Sequence, residues 1–305
     1  MDILKLATTQ ARPQYKVIIK PESGVPLPVS TKTELEIGFG NGEFTVQYAR
    51  MNPDVFLYGV EISQACVLKC ARRAGGLNNL RLINTDARFM LRELFPDDSL
   101  RKIFMQFPCP WSKNADAHKR VTAKDFADGL SAVLKFSGVF EMITDDEPYA
   151  NEVWKVLGSH EALEPEKFEI NPQRQVTTKY ERKWLAEGKN IYRVTFRKIK
   201  EFTVQRRTSK EMHVKINHEV KPENIEALRN FEGKKEKSFW KFGRMFKNDD
   251  AYLLETLTSD DEFEQKFYIH IAQKDEGFLL RLDKTADAFL TPAVRSAITD
   301  AAERL

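Results

Sequence analysis

A glycine-rich turn near the start of the chain follows directly on an acidic residue. The segment reads Glu36-Ile37-Gly38-Phe39-Gly40-Asn41-Gly42. Its glycines permit a tight turn and a close approach of the backbone to a ligand, so Gly38 and Gly40 are predicted to bind one. Nicotinamide-dependent enzymes use a similar turn to bind their cofactor, and in other proteins such a sequence forms a tight turn that binds no ligand. The pattern therefore indicates a candidate ligand site without naming the ligand.

Two further acids follow at the ends of the next two strand-like segments. Glu61 lies about twenty residues after the turn, where a carboxylate can accept hydrogen bonds from ribose hydroxyls. Asp86 follows the third segment, where a carboxylate can accept from an adenine amino group. One such acid is most often a helix N-cap or a solvated charge, but three at successive strand ends favour an adenosine-bearing cofactor. Glu36 favours the cationic S-adenosylmethionine over a dinucleotide, whose pyrophosphate it would repel.

The elements that must position these acids alternate between strand-like and helix-like patterns. Periodicity and turn signals predict strands at 33–37, 55–60, 80–83, 100–107, 138–143 and 190–198. They predict helices at 43–51, 63–74, 87–94, 122–134, 147–157 and 179–187. Repeated β-α-β units with right-handed crossovers make an α/β fold with a doubly wound, mostly parallel sheet. Ligands of such sheets bind beyond the carboxyl ends of the strands, where the acids lie.

Seven segments between residues 33 and 198 carry a family resemblance. They are Leu35-Glu36-Ile37-Gly38-Phe39-Gly40-Asn41-Gly42-Glu43-Phe44, Gly59-Val60-Glu61-Ile62-Ser63, Phe95-Pro96-Asp97-Asp98-Ser99-Leu100, Phe107-Pro108-Cys109-Pro110-Trp111-Ser112-Lys113, His118-Lys119-Arg120, Phe140-Glu141-Met142-Ile143-Thr144-Asp145-Asp146-Glu147-Pro148-Tyr149-Ala150 and Thr178-Lys179-Tyr180-Glu181. Together they resemble the bacterial tRNA (guanine-N7)-methyltransferase family, which modifies the variable-loop guanine at tRNA position 46. The resemblance implies a Rossmann-like, class I methyltransferase domain with S-adenosylmethionine as cofactor and tRNA as partner.

The resemblance also implies roles for individual residues. It assigns Glu36, Glu61 and Asp86 to the cofactor. It assigns substrate contacts to a second set: Lys113, Asp145, Thr178, Lys179, Tyr180 and Glu181. Thr178 and Glu181 also have the spacing of a helix capping box, which is compatible with a substrate contact.

One position departs from the family pattern. Between the two prolines of the fourth strand junction, where the family has an aspartate treated as catalytic, this chain has Cys109. We predict that Cys109 still lies against cofactor and guanine, and that Asp145 or Asp146 supplies the missing acceptor. N7 of guanine carries a free lone pair, so methylation needs alignment rather than a general base. A neutral thiol stabilises the developing positive charge less well than a carboxylate, so we expect slower methylation than in an aspartate-bearing relative.

Three other functions stay open at this point. Cys109 is also compatible with a noncatalytic tRNA-binding relative. An adenine amino-group methyltransferase would carry a proline-rich loop after the same strand, although it normally needs Asn or Asp there. A dehydrogenase is disfavoured by Glu36 and by the sequence Pro-Cys-Pro-Trp at 108–111.

The loop around Cys109 offers contacts for a nucleic acid. Trp111 is equally suited to stack on a base and to pack against the edge of the sheet. The basic residues that follow offer phosphate contacts: Lys113, His118, Lys119 and Arg120.

Composition narrows the class of protein. No run approaches the ~20 apolar residues that span a bilayer, and residues 1–6 lack the features of a secretory signal, so we expect a cytoplasmic protein without membrane association. The three cysteines do not suggest a disulfide framework, and Cys66 and Cys70 are expected to pack as small hydrophobic residues. The five histidines lack metal-ligand spacing, and no metal is expected.

We divide the chain into an N-terminal segment (1–30), a methyltransferase domain (31–199) and a C-terminal extension (200–305). Strand-like pieces at 202–207, 212–219, 239–246, 265–273 and 277–283, with helices at 222–231 and 291–304, predict a small α+β unit. Its net charge is +6 over 200–247 and −7 over 248–305. The basic half also carries Phe239, Trp240, Phe242 and Phe246. This mixture suits tRNA, although a solvated basic face over a small core is equally compatible.

Overall fold

The structure, a computed structural model, describes residues 16–111, 113–248, 251–261, 263–274 and 277–305, without the side chains of residues 114, 116, 117 and 180. These residues fall into two compact units. The first comprises Pro26–Gln205 and the described residues before Glu22. The second comprises Glu22–Val25 and Arg206–Leu305.

A seven-stranded sheet forms the centre of the first unit. Its strands are β1 (Thr33–Ile37), β2 (Phe56–Glu61), β3 (Leu80–Asn84), β4 (Leu100–Gln106), β5 (Leu134–Thr144), β6 (Leu163–Ile170) and β7 (Tyr192–Lys198). They are ordered β3-β2-β1-β4-β5-β7-β6. The first five are parallel, and β7 runs antiparallel to both β5 and β6. The predicted mostly parallel, doubly wound sheet is confirmed.

The central strands are buried because helices cover both faces of the sheet, and parallel strands of this kind are apolar along their length. All five residues of β1 are buried. The chain turns from β1 towards β2 on one side, and β4 lies on the other side of β1. Strand order therefore reverses between β1 and β4, which opens a crevice beyond their carboxyl ends.

Six helices and one 3-10 helix complete the described part of the first unit. The helices are α1 (Glu43–Met51), α2 (Gln64–Ala74), α3 (Ala87–Leu94), α4 (Lys124–Val133), α5 (Glu147–Gly158) and α6 (Lys179–Ala186), and the 3-10 helix is Asn114–Lys119. Side chains of Ser63, Asp86, Asp146 and Thr178 cap the N-termini of α2, α3, α5 and α6. All six predicted helices are confirmed within two residues at each end. Cys70 packs as predicted among the small apolar residues of α2, and Cys66 is half-buried.

The second unit is an antiparallel sheet packed against helices. Its strands are β8 (His213–Ile216), β9 (Glu232–Lys235), β10 (Ser238–Lys247), β11 (Ala251–Asp260), β12 (Phe263–Lys274) and β13 (Gly277–Leu282), in the order β8-β13-β12-β11-β10-β9. Its helices are α7 (Pro222–Ala227) and α8 (Pro292–Glu303). One face of α8 is buried in the core of this unit. The predicted α+β character of the extension is confirmed.

Two details of the second unit correct the sequence interpretation. The predicted strand at 202–207 is wrong, because this stretch forms no strand. Trp240 and Phe242 belong to the hydrophobic core, whereas Phe246 is exposed. Two of these four aromatic residues, Trp240 and Phe242, are therefore core residues and not part of a surface for bases.

Across the described residues, no helix has the length and apolar character needed to cross a membrane.

Candidate active site

Glu36 is a buried acid at the carboxyl end of β1. It lies beside Gly59 of β2 and Phe104 of β4, and its side chain is almost inaccessible to solvent. Within the described part of the chain, its Oε2 atom has no hydrogen-bond partner. Burial raises the pKa of Glu36 from 4.5 to about 8, although the nearby Thr45 hydroxyl and Arg174 guanidinium oppose the rise. A buried acceptor without a partner is costly, and a cationic or hydrogen-donating ligand would satisfy it.

Glu61 holds the glycine-rich turn in place. One of its carboxylate oxygens accepts a hydrogen bond from the Gly40 N–H at 2.9 Å, and the other accepts from the Ser63 N–H at 2.9 Å. The Gly38 N–H donates to the Val60 carbonyl at 2.8 Å. The turn after β1 and the end of β2 thus form one rigid rim, and the negative charge of Glu61 contributes to the raised pKa of Glu36 after the dominant effect of burial.

The glycines of the turn face different surroundings. A Cβ atom at Gly38 or Gly40 would point into open space, so their faces are available to a ligand. A Cβ atom at Gly42 would instead overlap the Cys70 thiol of α2. Gly42 also has a φ of 76°, which L side chains rarely adopt. Gly42 therefore serves packing of α1 against α2, whereas Gly38 and Gly40 line the crevice.

Asp86, after the end of β3, caps a helix and pairs with an arginine. Its Oδ1 atom accepts from the Arg88 N–H at 2.9 Å and caps α3. Both carboxylate oxygens also accept from the Arg88 guanidinium, at 3.0 and 2.9 Å from Nε. Asp86 therefore follows β3 where the sequence placed it, and its contact with an adenine stays a prediction.

The loop after β4 is held by a guanidinium group. Arg120 donates to the carbonyl of Pro110 at 3.1 Å and to that of Trp111 at 2.7 Å, and its Nη1 atom lies 2.9 Å from Glu152 of α5. Its side chain is only 14% exposed, so Arg120 is not a fully exposed charge, and its contact with phosphate stays a prediction. Cys109 is exposed in the middle of this loop. Arg120 fixes the backbone that presents Cys109.

Trp111 is partly exposed in the same loop. Its side chain is 37% exposed, and the Lys119 ammonium lies 5.0 Å from the centre of its ring. This favours the stacking interpretation over packing against the sheet. Lys113 is exposed as well, and Ser112 lies outside the described residues.

Asp145 and Asp146 leave the sheet from β5, the neighbour of β4. The Phe107 N–H donates to the Ile143 carbonyl at 2.7 Å, so the two strand ends are joined beside the loop. Asp146 is occupied, because its Oδ1 atom accepts from the Tyr149 N–H at 2.7 Å and caps α5. The carboxylate of Asp145 accepts no hydrogen bond from the residues that the structure describes. Of the two acids, Asp145 is the one left for a ligand.

Thr178 and Glu181 form the capping box that their spacing predicted. The Glu181 N–H donates to Thr178 Oγ1 and the Thr178 N–H donates to Glu181 Oε2, both at 3.2 Å. The Lys179 N–H donates to the Glu43 carboxylate at 2.9 Å, which ties α6 to the first residue of α1. The Tyr180 side chain lies outside the described residues. The predicted substrate segment therefore lies beside the predicted cofactor turn.

Comparisons with known proteins decide the family. A family model described as a putative methyltransferase matches residues 30–194, more than half of the chain. The tRNA (guanine-N(7)-)-methyltransferase of Thermotoga maritima is 38% identical over 90% of this chain and 89% of the relative. That of Aquifex aeolicus is 31% identical over 95% of this chain and 98% of the relative. The chain belongs to the tRNA (guanine-N7)-methyltransferase family.

Family membership confirms the resemblance carried by the seven segments, and it makes the chain a methyltransferase. The match to the Thermotoga relative covers 281 residues and so reaches well beyond the methyltransferase domain into the second unit. The tRNA (guanine-N7)-methyltransferase similarity is therefore not confined to the first unit.

Sequence reasoning missed two residues of this site. Arg174 lies between β6 and α6, and its guanidinium pairs with Glu181 at 2.5 Å and donates to the Gln106 side chain at the end of β4. Gln106 directly precedes the loop that bears Cys109. No local sequence pattern marks an isolated arginine or glutamine as part of a site, because the partners of Arg174 and Gln106 come from distant parts of the chain.

Proposed function

We propose that the chain transfers a methyl group from S-adenosylmethionine to N7 of guanine 46 in the variable loop of tRNA, in the cytoplasm. Family membership supports tRNA and guanine N7. The observation that carries the choice of donor is the buried Glu36 carboxyl, whose Oε2 atom lacks a partner among the described residues. The position of the guanine rests on the resemblance of the seven segments.

The residues of the first unit fit a cationic nucleoside donor. Glu36 supplies a buried acceptor for a positively charged or hydrogen-donating group. Gly38 and Gly40 leave room for close approach of the ligand to the backbone. Each carboxylate oxygen of Glu61 accepts one backbone N–H and keeps a second acceptor site, which suits ribose hydroxyls. When bound, the donor supplies an electrophilic methyl group that guanine N7 accepts without a general base.

The task left to the chain is to orient the guanine and to stabilise its developing positive charge. Asp145 suits both roles, because its carboxylate is not engaged by the described residues and can accept from the N1 and N2 donors of the base. Trp111 offers a face on which a base can stack. Cys109 contributes less stabilisation of charge than an aspartate would. These residues all leave the sheet from the adjacent strands β4 and β5.

Mass mapping of tRNA tests this function directly. Unmodified tRNA transcript is incubated with the protein and S-adenosylmethionine, digested with a ribonuclease and analysed by mass spectrometry. We expect one added methyl group in the fragment that contains guanine 46, and chain cleavage there after reduction and aniline treatment, which reports methylation at N7.

A transcript with adenine at position 46 is the matched control and should stay unmethylated. Methylation at a different guanine would contradict the assigned position. Tight tRNA binding without any methyl transfer would instead support the noncatalytic alternative that Cys109 leaves open.

A further inference from the structure

Arg174 is a buried arginine that belongs to no helix or strand. Only 5% of its side chain is exposed, and its ion-pair partner Glu181 is 2% exposed. Removing a charged side chain from water is unfavourable unless hydrogen bonds and opposite charge compensate for it. Its position in the interior therefore requires partners on several sides, and the identities of these partners indicate its role.

The first partner is the capping box of α6. The Arg174 Nη1 atom lies 2.5 Å from Glu181 Oε2, the same oxygen that accepts the Thr178 N–H. The guanidinium therefore holds Glu181 in the conformation that closes the box. Thr178 to Glu181 is the segment that we predict to contact the substrate.

The second partner is the last residue of β4. The other terminal nitrogen of Arg174 donates to the Gln106 side-chain oxygen. A guanidinium group only donates hydrogen bonds, so this contact fixes which way the Gln106 amide is turned. The Gln106 Nε2 atom is buried and has no partner in the part of the chain that the structure describes. Arg174 thus leaves an oriented donor at the base of the loop that bears Cys109.

The third neighbour is the start of α1, which directly follows the glycine-rich turn at residues 36–42, the donor turn of the proposed function. The Arg174 guanidinium carbon lies 5.7 Å from the centre of the Phe44 ring in α1, in the range of a cation–π contact. Its positive charge also lies near enough to Glu36 to oppose the rise in pKa that burial causes. One side chain therefore touches or faces all three parts of the candidate site.

We propose that Arg174 is a positioning residue for guanine methylation, which fixes the substrate segment at Thr178 and Glu181 and the base of the Cys109 loop relative to the donor turn. This inference rests on the proposed function. Arginine suits the task because its planar fork donates in two directions at once, whereas a lysine ammonium is a single point of charge.

The test compares Arg174→Lys and Arg174→Ala with Arg197→Ala. Arg197 is a matched control in the same unit, because it also pairs with a glutamate, Glu166, but on strands remote from the three contacts. Amide hydrogen exchange of residues 178–181 is measured in the ligand-free protein. Donor affinity, tRNA affinity, the melting temperature and the rate of single-turnover methyl transfer are measured in parallel.

We expect exchange at residues 178–181 to speed up by about tenfold in both Arg174 variants and to stay unchanged in the control. Methyl transfer should slow by about a hundredfold, the effect of a displacement of about 1 Å, while donor affinity changes by less than about threefold. Added guanidinium ions should restore part of the rate in Arg174→Ala and none in Arg197→Ala.

Unchanged exchange and rate in Arg174→Lys would overturn the proposal. So would losses of donor affinity, tRNA affinity and rate that follow the melting temperature, because they would indicate general destabilisation. If the unaltered chain methylates no tRNA, the proposed function fails, and the exchange and donor-affinity measurements still decide whether Arg174 positions the segment.

Discussion

We expect the Glu36 carboxyl to release a proton when the protein binds the methyl donor. Replacing Glu36 by glutamine should abolish this release. Burial raises the pKa of Glu36 to about 8, so at pH 7 about nine in ten molecules carry the proton. A cationic donor favours the ionised carboxylate and should expel that proton. Binding at pH 7 should therefore release about 0.9 proton per donor from Glu36, and affinity should rise about ninefold between pH 6.0 and 7.0. Measurements stay at or below pH 7.0, because the donor's own amino group, with a pKa of about 7.7, is then still mostly charged.

Calorimetric titration with S-adenosylmethionine in two buffers of different ionisation enthalpy measures this release. The apparent binding enthalpy of the natural chain should differ between the buffers, and that of Glu36→Gln should not. Glu34→Gln is the matched control, because Glu34 is equally buried in β1 but already pairs with Arg101 and Tyr48. Equal enthalpies in both buffers for the natural chain would refute the assignment of Glu36 to the donor.

The same pKa predicts how stability depends on pH. The folded protein holds a proton on Glu36 between pH 4.5 and about 8, and the unfolded chain does not. The free energy of unfolding should therefore fall with rising pH, by about 3–4 kcal/mol between pH 5 and 8 from this group alone. Denaturation of Glu36→Gln should lack this contribution, so the variant should gain stability relative to the natural chain as pH rises. A difference between the two proteins that does not vary with pH would contradict the raised pKa.

Three further outcomes follow from the structure. Cys109→Asp should speed single-turnover methyl transfer by at least about tenfold, with Cys109→Ser as the control, and an unchanged rate would end the electrostatic account of the natural cysteine. Thr178→Ala should lower the free energy of unfolding by about 1 kcal/mol through loss of the capping box, whereas Thr178→Ser should keep it. Lys234 and Lys235 are exposed, and we expect them to contact phosphates. Lys234→Gln and Lys235→Gln should then each reduce the slope of log tRNA affinity against log salt concentration by about 0.9. Lys266→Gln is the control and should leave the slope unchanged, because Glu255 already neutralises Lys266 at 2.7 Å.

Local sequence was sufficient where an element carries its own signal. Helices that begin at a capping residue and bury one face were predicted almost to the residue, as in α3, which Asp86 caps. Strand β6 was missed because it lies at the edge of the sheet, contains Pro165 and is charged along its exposed half, which reads as a loop. The stretch 202–207 was wrongly predicted as a strand. Its apolar and polar residues alternate as they do in a strand, but no other strand pairs with it. Pairing is decided by distant residues and does not show in a local pattern.

In the candidate site too, local sequence predicted some features, whereas features that depend on distant residues were missed. The positions of Glu36, Glu61 and the glycines at the ends of β1 and β2 were predicted correctly, because the ends of parallel strands are common places for ligand contacts. The structural roles of Arg120 and Arg174 were not predicted, because each depends on partners elsewhere in the chain. Arg120 binds the carbonyl oxygens of another loop, and Arg174 binds the side chains of Gln106 and Glu181. Both arginines look like surface charges in the sequence and are largely buried in the structure.

The contact between Gly42 and Cys70 limits how this sequence can vary. The thiol fills the volume that any side chain at position 42 would need, so glycine is required there for as long as position 70 bears a side chain. Valine at position 70, or a thiol enlarged by oxidation, would press on the turn whose Gly40 N–H is bonded to Glu61. Through its size alone, Cys70 thus limits the conformation of the glycine-rich turn in the candidate site.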